Sequence, residues 1–192
     1  MRDRILDAAL TVLREQGLEA ATTKEIARVA GCSEGSLYTY FATKESLLLA
    51  VMTERLPPFI QLLHSMVERA GEDTLQDHLE EIARLAAAFY WELTPMAVSV
   101  LATPELAEGL RRKGLGPQRG NQTLAAYLRL EQRLGRVNAG VSIEATAALL
   151  LGACQQRAMN LQFLGQERDP EADGRFAVEI VGALMQGLRP GD

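Results

Sequence analysis

Thiols and imidazoles are scarce in this sequence. Its two cysteines, Cys32 and Cys154, are far apart and in unlike surroundings, so a disulfide framework or a cysteine-spaced metal site has no basis. Both are expected to be free thiols, Cys32 as a small apolar filler. Histidine is as rare: His64 and His78 are the whole supply, and each lies within helical pattern. No metal or cofactor is expected. Positive charge is also lacking, with 20 lysines and arginines against 25 acidic residues and a net charge of −5. The calculated pI is near 5.2. This excludes a chain coated in positive charge, the usual electrostatic footprint of a nucleic-acid binder. The first fifty residues do not reverse the balance, since Arg2, Arg4, Arg14, Lys24, Arg28 and Lys44 face seven acidic residues. Any DNA contact must therefore rest on local geometry. Long apolar runs are missing too. Uncharged stretches such as 145–156 fall short of the roughly 18 residues that a membrane span needs. A soluble cytoplasmic protein with no membrane partner is expected.

What is present is helical periodicity. In "RDRILDAALTVLREQG", Ile5, Leu6, Ala9, Leu10 and Leu13 recur at three- and four-residue spacings before a stop at Gly17. Thr22 and Glu25 can satisfy each other's backbone donors at the start of a second helix carrying Ile26, Val29 and Ala30, which ends at Gly31. Ser33 can cap a third helix with Leu37 and Phe41, and Thr43 a fourth that begins at Lys44. Pro57-Pro58 interrupts that fourth helix, because proline removes a donor and clashes with the preceding turn.

Beyond it, Leu75, Leu79, Ile82, Leu85, Phe89 and Leu93 form one apolar stripe. Helices are expected from Thr103-Pro104-Glu105, over 117–135, over 142–164, and from Asp169-Pro170-Glu171 to Leu188. There is no alternating strand pattern, repeat or low-complexity tract. With 192 residues, 47% of them hydrophobic, the chain can bury a full core. The class is all-α, with an N-terminal three-helix domain over 1–46 and a larger C-terminal helical domain over 47–192.

The stretch "AGCSEGSLYTYFATKE", residues 30–45, carries the functional signal. At 100° per residue, Leu37 and Phe41 fall within about 40° of each other, while Gly35, Ser36, Thr39 and Tyr40 occupy the opposite arc. One face can pack on Ile26, Val29 and Leu10. The other offers small polar side chains, with Gly35 admitting a close backbone approach. Tyr38 and Tyr40 flank the buried stripe, where a phenol lies along apolar surface and still reaches a phosphate oxygen; ordinary interhelical packing is the alternative. A short helix, a glycine turn and a second helix with a small polar outer face fit the helix-turn-helix, whose second helix enters the major groove. Lys44 and the first amides of the fourth helix would bind a neighbouring phosphate. Glu34 repels phosphate unless it accepts a hydrogen bond from a cytosine amine.

"TTKEIARVAGCSEGSLYTYFATKESLLLAV" resembles the DNA-binding signature of the tetracycline-repressor (TetR) family, and the likeness covers residues 2–52. It implies an all-helical homodimer, usually a transcriptional repressor, with three helices per subunit on DNA and a larger domain for an effector. It also implies Thr23 and Tyr40 on phosphates, Ser36 and Thr39 facing bases, Tyr38 anchoring backbone and Lys44 clamping the far side. Cys32 stands where a small aliphatic residue is usual, and histidine is commoner in the family at the position of Tyr40.

"GCSEG" also matches the nucleophile elbow of α/β hydrolases, but an elbow follows a strand and needs a histidine partner, whereas this match follows a helix. Arg111-Arg112-Lys113 reads as a solvated helix end. For the effector, expected to be small and largely apolar, the candidates are Phe89, Trp91, Met96, Tyr127, Gln155, Met159 and Phe163, with core packing the alternative for the aromatics. Segments 145–153 and 176–185 are apolar on nearly every face. Ala148, Gly152, Ile180, Gly182 and Ala183 are therefore expected to pair across a two-fold axis in an intersubunit four-helix bundle. The function expected is an effector-responsive regulator of double-stranded DNA that represses from a near-palindromic operator. The Pro57-Pro58 break is expected to relay the effector's signal. A helical small-molecule carrier without DNA is the rival.

Overall fold

A computed structural model describes residues 1–56, 58–114, 116 and 118–188, and all regular structure among them is helical. The helices are α1 Arg2–Ala20, α2 Thr23–Val29, α3 Glu34–Tyr40, α4 Lys44–Glu54, α5 Phe59–Glu68, α6 Leu75–Ala102, α7 Pro104–Arg112, α8 Gln118–Arg133, α9 Ile143–Phe163 and α10 Pro170–Leu188. Among the described residues no single helix is long and apolar enough to cross a membrane.

Local chemistry sets most of these ends. Thr22, Ser33, Thr43 and Ser142 are N-caps whose hydroxyls accept from the backbone amides of Glu25, Ser36, Ser46 and Ala145. Each such cap contributes about 1 kcal/mol. The reciprocal box expected at Thr22 is only half made. The Glu25 carboxylate turns instead to Arg28, at 2.8 and 2.7 Å, and that pairing holds its carboxyl down near a pKa of about 2. At Thr43 the box closes, with Ser46 Oγ accepting from the Thr43 amide at 3.2 Å. Gly17 interrupts α1 with φ 78° and ψ 177°, but helix resumes and runs to Ala20 rather than stopping there. Helix α4 ends at Glu54, and Pro58 stands at the N-cap position of α5. Pro57, the other half of the expected interruption, lies outside the described residues.

The chain forms two compact units, the first of Met1–Leu56 with Glu92–Gly116, the second of Pro57–Trp91 with Pro117–Asp192. This division differs from a boundary after residue 46, because Leu47–Val51 of α4 are buried in the same core as α1. Helix α7 joins them there. An alanine methyl at Gly109 would lie 2.8 Å from Leu49 Cδ1, so α4 and α7 meet closely there and an added methyl would require the Leu49 side chain to shift.

In the first unit Ile5, Leu6, Ala9 and Leu13 of α1 pack with Ile26, Leu37, Phe41, Leu47 and Val51. Each large side chain so buried stabilises by about 1.5–3 kcal/mol. Arg4 donates to the carbonyls of Ala30 (2.6 Å) and Gly31 (3.2 Å) and so fastens α1 to the turn after α2. That turn needs φ 63° at Gly31. Arg2 grips Glu54 through two hydrogen bonds of 2.7 and 2.6 Å and lies 5.3 Å over the Phe41 ring. Arg55 bridges Asp3 and Asp7 at 2.6 and 2.7 Å. These exposed pairs orient more than they stabilise.

In the second unit α8 packs between α5 and α9, and α10 lies on α9. Phe59, Leu63, Met66, Leu79, Ile82, Leu124 and Tyr127 are fully buried. Tyr127 Oη is 2.8 Å from His78 Nδ1. Burial first, and then nearby Glu131, push the Tyr127 phenol pKa well up. Glu131, itself fully buried, accepts from the Gly71 amide at 3.0 Å and has Arg136 Nε 3.0 Å from its other oxygen, outside hydrogen-bonding geometry. Cys154 is buried with its thiol 3.5 Å from the Ala83 carbonyl, and burial pushes its pKa up to about 12. Cys32, by contrast, is partly buried against the first unit's core.

Candidate nucleic-acid interface

Helix α3 divides along its length. Leu37 and Phe41 are buried, whereas Gly35, Tyr38, Thr39 and Tyr40 are exposed and Ser36 is half-buried. Half-exposed rings at Tyr38 (47%) and Tyr40 (46%) are not interhelical packing. The partners beneath α3 differ in one residue from the expected set. Ile26 and Leu10 are buried, but Val29 is exposed. Ile26, Ala27 and Ala30 define the inward side of this segment, and Val29 falls about 100° from the centre of that side.

The hydroxyls on this surface are ordered. Ser33 Oγ, besides capping α3, lies 2.9 Å from Ser36 Oγ, and Thr39 Oγ1 donates back to the Gly35 carbonyl at 3.2 Å. Tyr38 Oη donates to Thr23 Oγ1 at a long 3.5 Å, and Thr23 Oγ1 donates in turn to the Glu34 carboxylate. Met1, Ser36, Thr39 and Tyr40 line a depression of about 200 Å³. Lys44 is the first residue of α4 and half-buried. A helix whose inner face is glued down and whose outer face carries small hydroxyls suits base edges, and the flanking phenols and lysine suit phosphates. Ser33 Oγ caps α3, the role expected of it in place of a nucleophile.

Residues 5–51 match the family described as bacterial regulatory proteins, tetR family. That segment belongs to the tetR family. Along its length it is 24% identical to the fatty acid metabolism regulator protein of Bacillus subtilis, over 96% of this chain and 94% of that one. It is 30% identical to the transcriptional repressor NicS of Pseudomonas putida, over 58% of this chain and 51% of that one. Among solved structures it resembles the transcriptional regulator FadR of Bacillus subtilis in complex with stearoyl-CoA. That match has a TM-score of 0.75 and 18% identity, and covers 98% of this chain and all of the other. It also resembles SmeT, the repressor of a Stenotrophomonas maltophilia multidrug efflux pump, with a TM-score of 0.72 and 22% identity over 95% and 89% of the two chains. These likenesses at low identity establish the fold.

The rest of the chain disposes the expected effector residues differently from the sequence grouping. Phe89 packs 5.2 Å from Phe59 and 5.4 Å from Tyr90, and Trp91 is half-buried beside them in the second unit, as Tyr127 is fully buried. Met96 lies apart, in the first unit's core. Gln155, Met159 and Phe163 are exposed on α9, Met159 by 53% and Phe163 by 91%. The reason is helical phase. Ile143, Thr146, Ala147, Leu150, Leu151, Cys154 and Ala158 take the inner face of α9, which leaves Ala148, Gly152, Gln155, Met159 and Phe163 as one outer stripe. The expected dimer residues Ala148 and Gly152 thus share a surface with three residues assigned to the ligand. On α10, Ile180 and Gly182 are half-buried and Ala183 is exposed.

Sequence reasoning missed several contacts. Pro95 inside α6 deprives the Trp91 carbonyl of its helical donor, and Gln162 Nε2 supplies one at 2.6 Å. Asp173 is buried between Arg157 Nε (3.0 Å) and Arg168 Nε (2.7 Å), a pairing with no local signature.

Proposed function

We propose that this chain is an effector-responsive repressor that binds a near-palindromic operator as a homodimer, with α3 of each protomer in the major groove. Ser36 and Thr39 face base edges, and Gly35 lets the backbone approach. Thr23, Tyr38, Tyr40 and Lys44 hold phosphates, and the latter contacts supply the affinity that an acidic chain lacks in its overall field. The observation that carries this is the exposed outer face of α3 over a fully buried Leu37. In this reading the DNA-contacting part is 1–46, and the remainder, 47–192, serves effector binding and dimerisation.

The outer side of α9 supports dimerisation, since it leaves Leu149, Met159 and Phe163 largely in water, which a lone protomer seldom does. The effector is small and largely apolar. Support comes from the fold shared with a regulator solved with stearoyl-CoA, and from the aromatic cluster of Phe59, Phe89 and Tyr90 in the second unit. Effector binding selects a state in which the two recognition helices no longer match half-sites separated by a multiple of about 34 Å.

Selection from a random duplex pool at two salt concentrations tests this. The expected result is a two-fold repeat whose affinity falls steeply as salt rises. A pool that stays random at both concentrations would sink the repressor and favour a carrier of small molecules.

A further inference from the structure

Glu34 stands among residues assigned to DNA, yet in the structure its carboxylate is engaged by the protein itself. It accepts the hydroxyl proton of Thr23, which lies eleven residues earlier at the first position of α2. Thr23 Oγ1, its one proton so committed, is an acceptor for Tyr38 Oη. The three side chains form a directional chain, Tyr38 to Thr23 to Glu34, that ends on a negative charge. A phosphate oxygen needs donors. Of the side chains suited to supply them, Thr23 is turned to Glu34 in the free protein, and Tyr38 points to Thr23 at a long 3.5 Å. Binding a phosphate at either requires reversing the chain, and a hydrogen bond to a carboxylate is roughly twice as strong as a neutral one.

We propose that Glu34 is a positioning residue that restrains affinity: it withholds the Thr23 and Tyr38 donors from phosphate until the duplex is bound closely enough to displace it. This rests on the DNA-binding function proposed above and changes the role of Glu34 within it. Glu34 reads no base. Its charge opposes every phosphate approach equally, so it lowers binding to all duplexes, while the choice of bases stays with the outer face of α3.

The test uses the full-length protein, its Glu34→Gln, Thr23→Val and doubly substituted forms, the selected duplex and a scrambled one. Glu34→Gln removes a repelling charge and leaves only a neutral amide oxygen, a weaker acceptor, for the Thr23 proton, so it is expected to tighten both duplexes about tenfold. The slope of log affinity against log salt should not change, because Glu34 neutralises no phosphate. The selected bases should be the same. In a Thr23→Val background the gain should shrink to about threefold, since only the repulsion is left to remove. Equal or weaker binding by Glu34→Gln, a new base preference, or a full tenfold gain without Thr23 would each overturn the proposal. If the wild-type protein selects no duplex, the DNA-binding reading fails and this proposal with it. If the wild type selects one and Glu34→Gln does not bind it more tightly, only this proposal fails.

Discussion

Leu149→Asp is expected to yield a folded protomer of half the native mass whose affinity for a two-half-site duplex is lower by roughly 10²–10⁴-fold, the usual yield of holding two binding modules together. Leu149 is 62% exposed on the outer side of α9, so it is not one of the buried core residues. Its neighbours on that side are Ala148 and Gly152, small enough to let a second helix come close, and farther along come Met159 and Phe163. Val178 of α10 is also more than half exposed. A two-fold axis through such a surface would bring each added aspartate into an apolar contact without a counter-ion, a cost of several kcal/mol per site. Sedimentation equilibrium gives the mass, and fluorescence anisotropy with a full and a half operator gives the affinities. A variant that remains dimeric with unchanged affinity would place the interface on another surface.

Asp173→Ala is expected to lower the free energy of unfolding by about 3 kcal/mol, a large share of the roughly 5–15 kcal/mol typical of a domain. Asp173 is only 1% exposed at the first turn of α10, and its two oxygens are divided between Arg157 of α9 and Arg168 of the connecting segment. Arg157 also lies 5.0 Å over the Phe176 ring. Removing the carboxylate leaves two guanidinium groups in partial burial with no negative partner among the described residues. The lower end of the range is appropriate because their side chains keep 22% and 27% of their surface in water and can turn outward. Urea unfolding reads the effect as a lower midpoint at constant slope. A loss below about 1 kcal/mol would mean that the pair is dispensable to the packing of α9 on α10.

What was legible in the sequence is what short-range chemistry decides. Ser33 and Thr43 cap because a hydroxyl three residues before a backbone amide is already in reach, and Leu37 turns inward with Phe41 because four residues nearly complete a turn. Partnerships over longer separations were not legible. Thr23 finds Glu34 across a turn, Asp173 finds an arginine sixteen residues back, and the Trp91 carbonyl left by Pro95 is met by Gln162 from seventy-one residues away. Helix α9 shows the limit most clearly. Aromatic and methionine side chains at helical spacing are equally at home against a core, a ligand or a partner subunit. Only the phase of the buried row, Leu150, Leu151 and Cys154, turns Met159 and Phe163 outward.

The division of labour on α3 is tested most directly by repeating the duplex selection with three variants. Ser36→Ala and Thr39→Val are expected to change which bases are enriched. Tyr40→Phe should enrich the same bases as the wild type and bind every duplex about three- to tenfold more weakly, having lost one hydroxyl contact to phosphate. If Tyr40→Phe instead alters the base choice, or if neither Ser36→Ala nor Thr39→Val does, the outer face of α3 is not the surface that reads DNA.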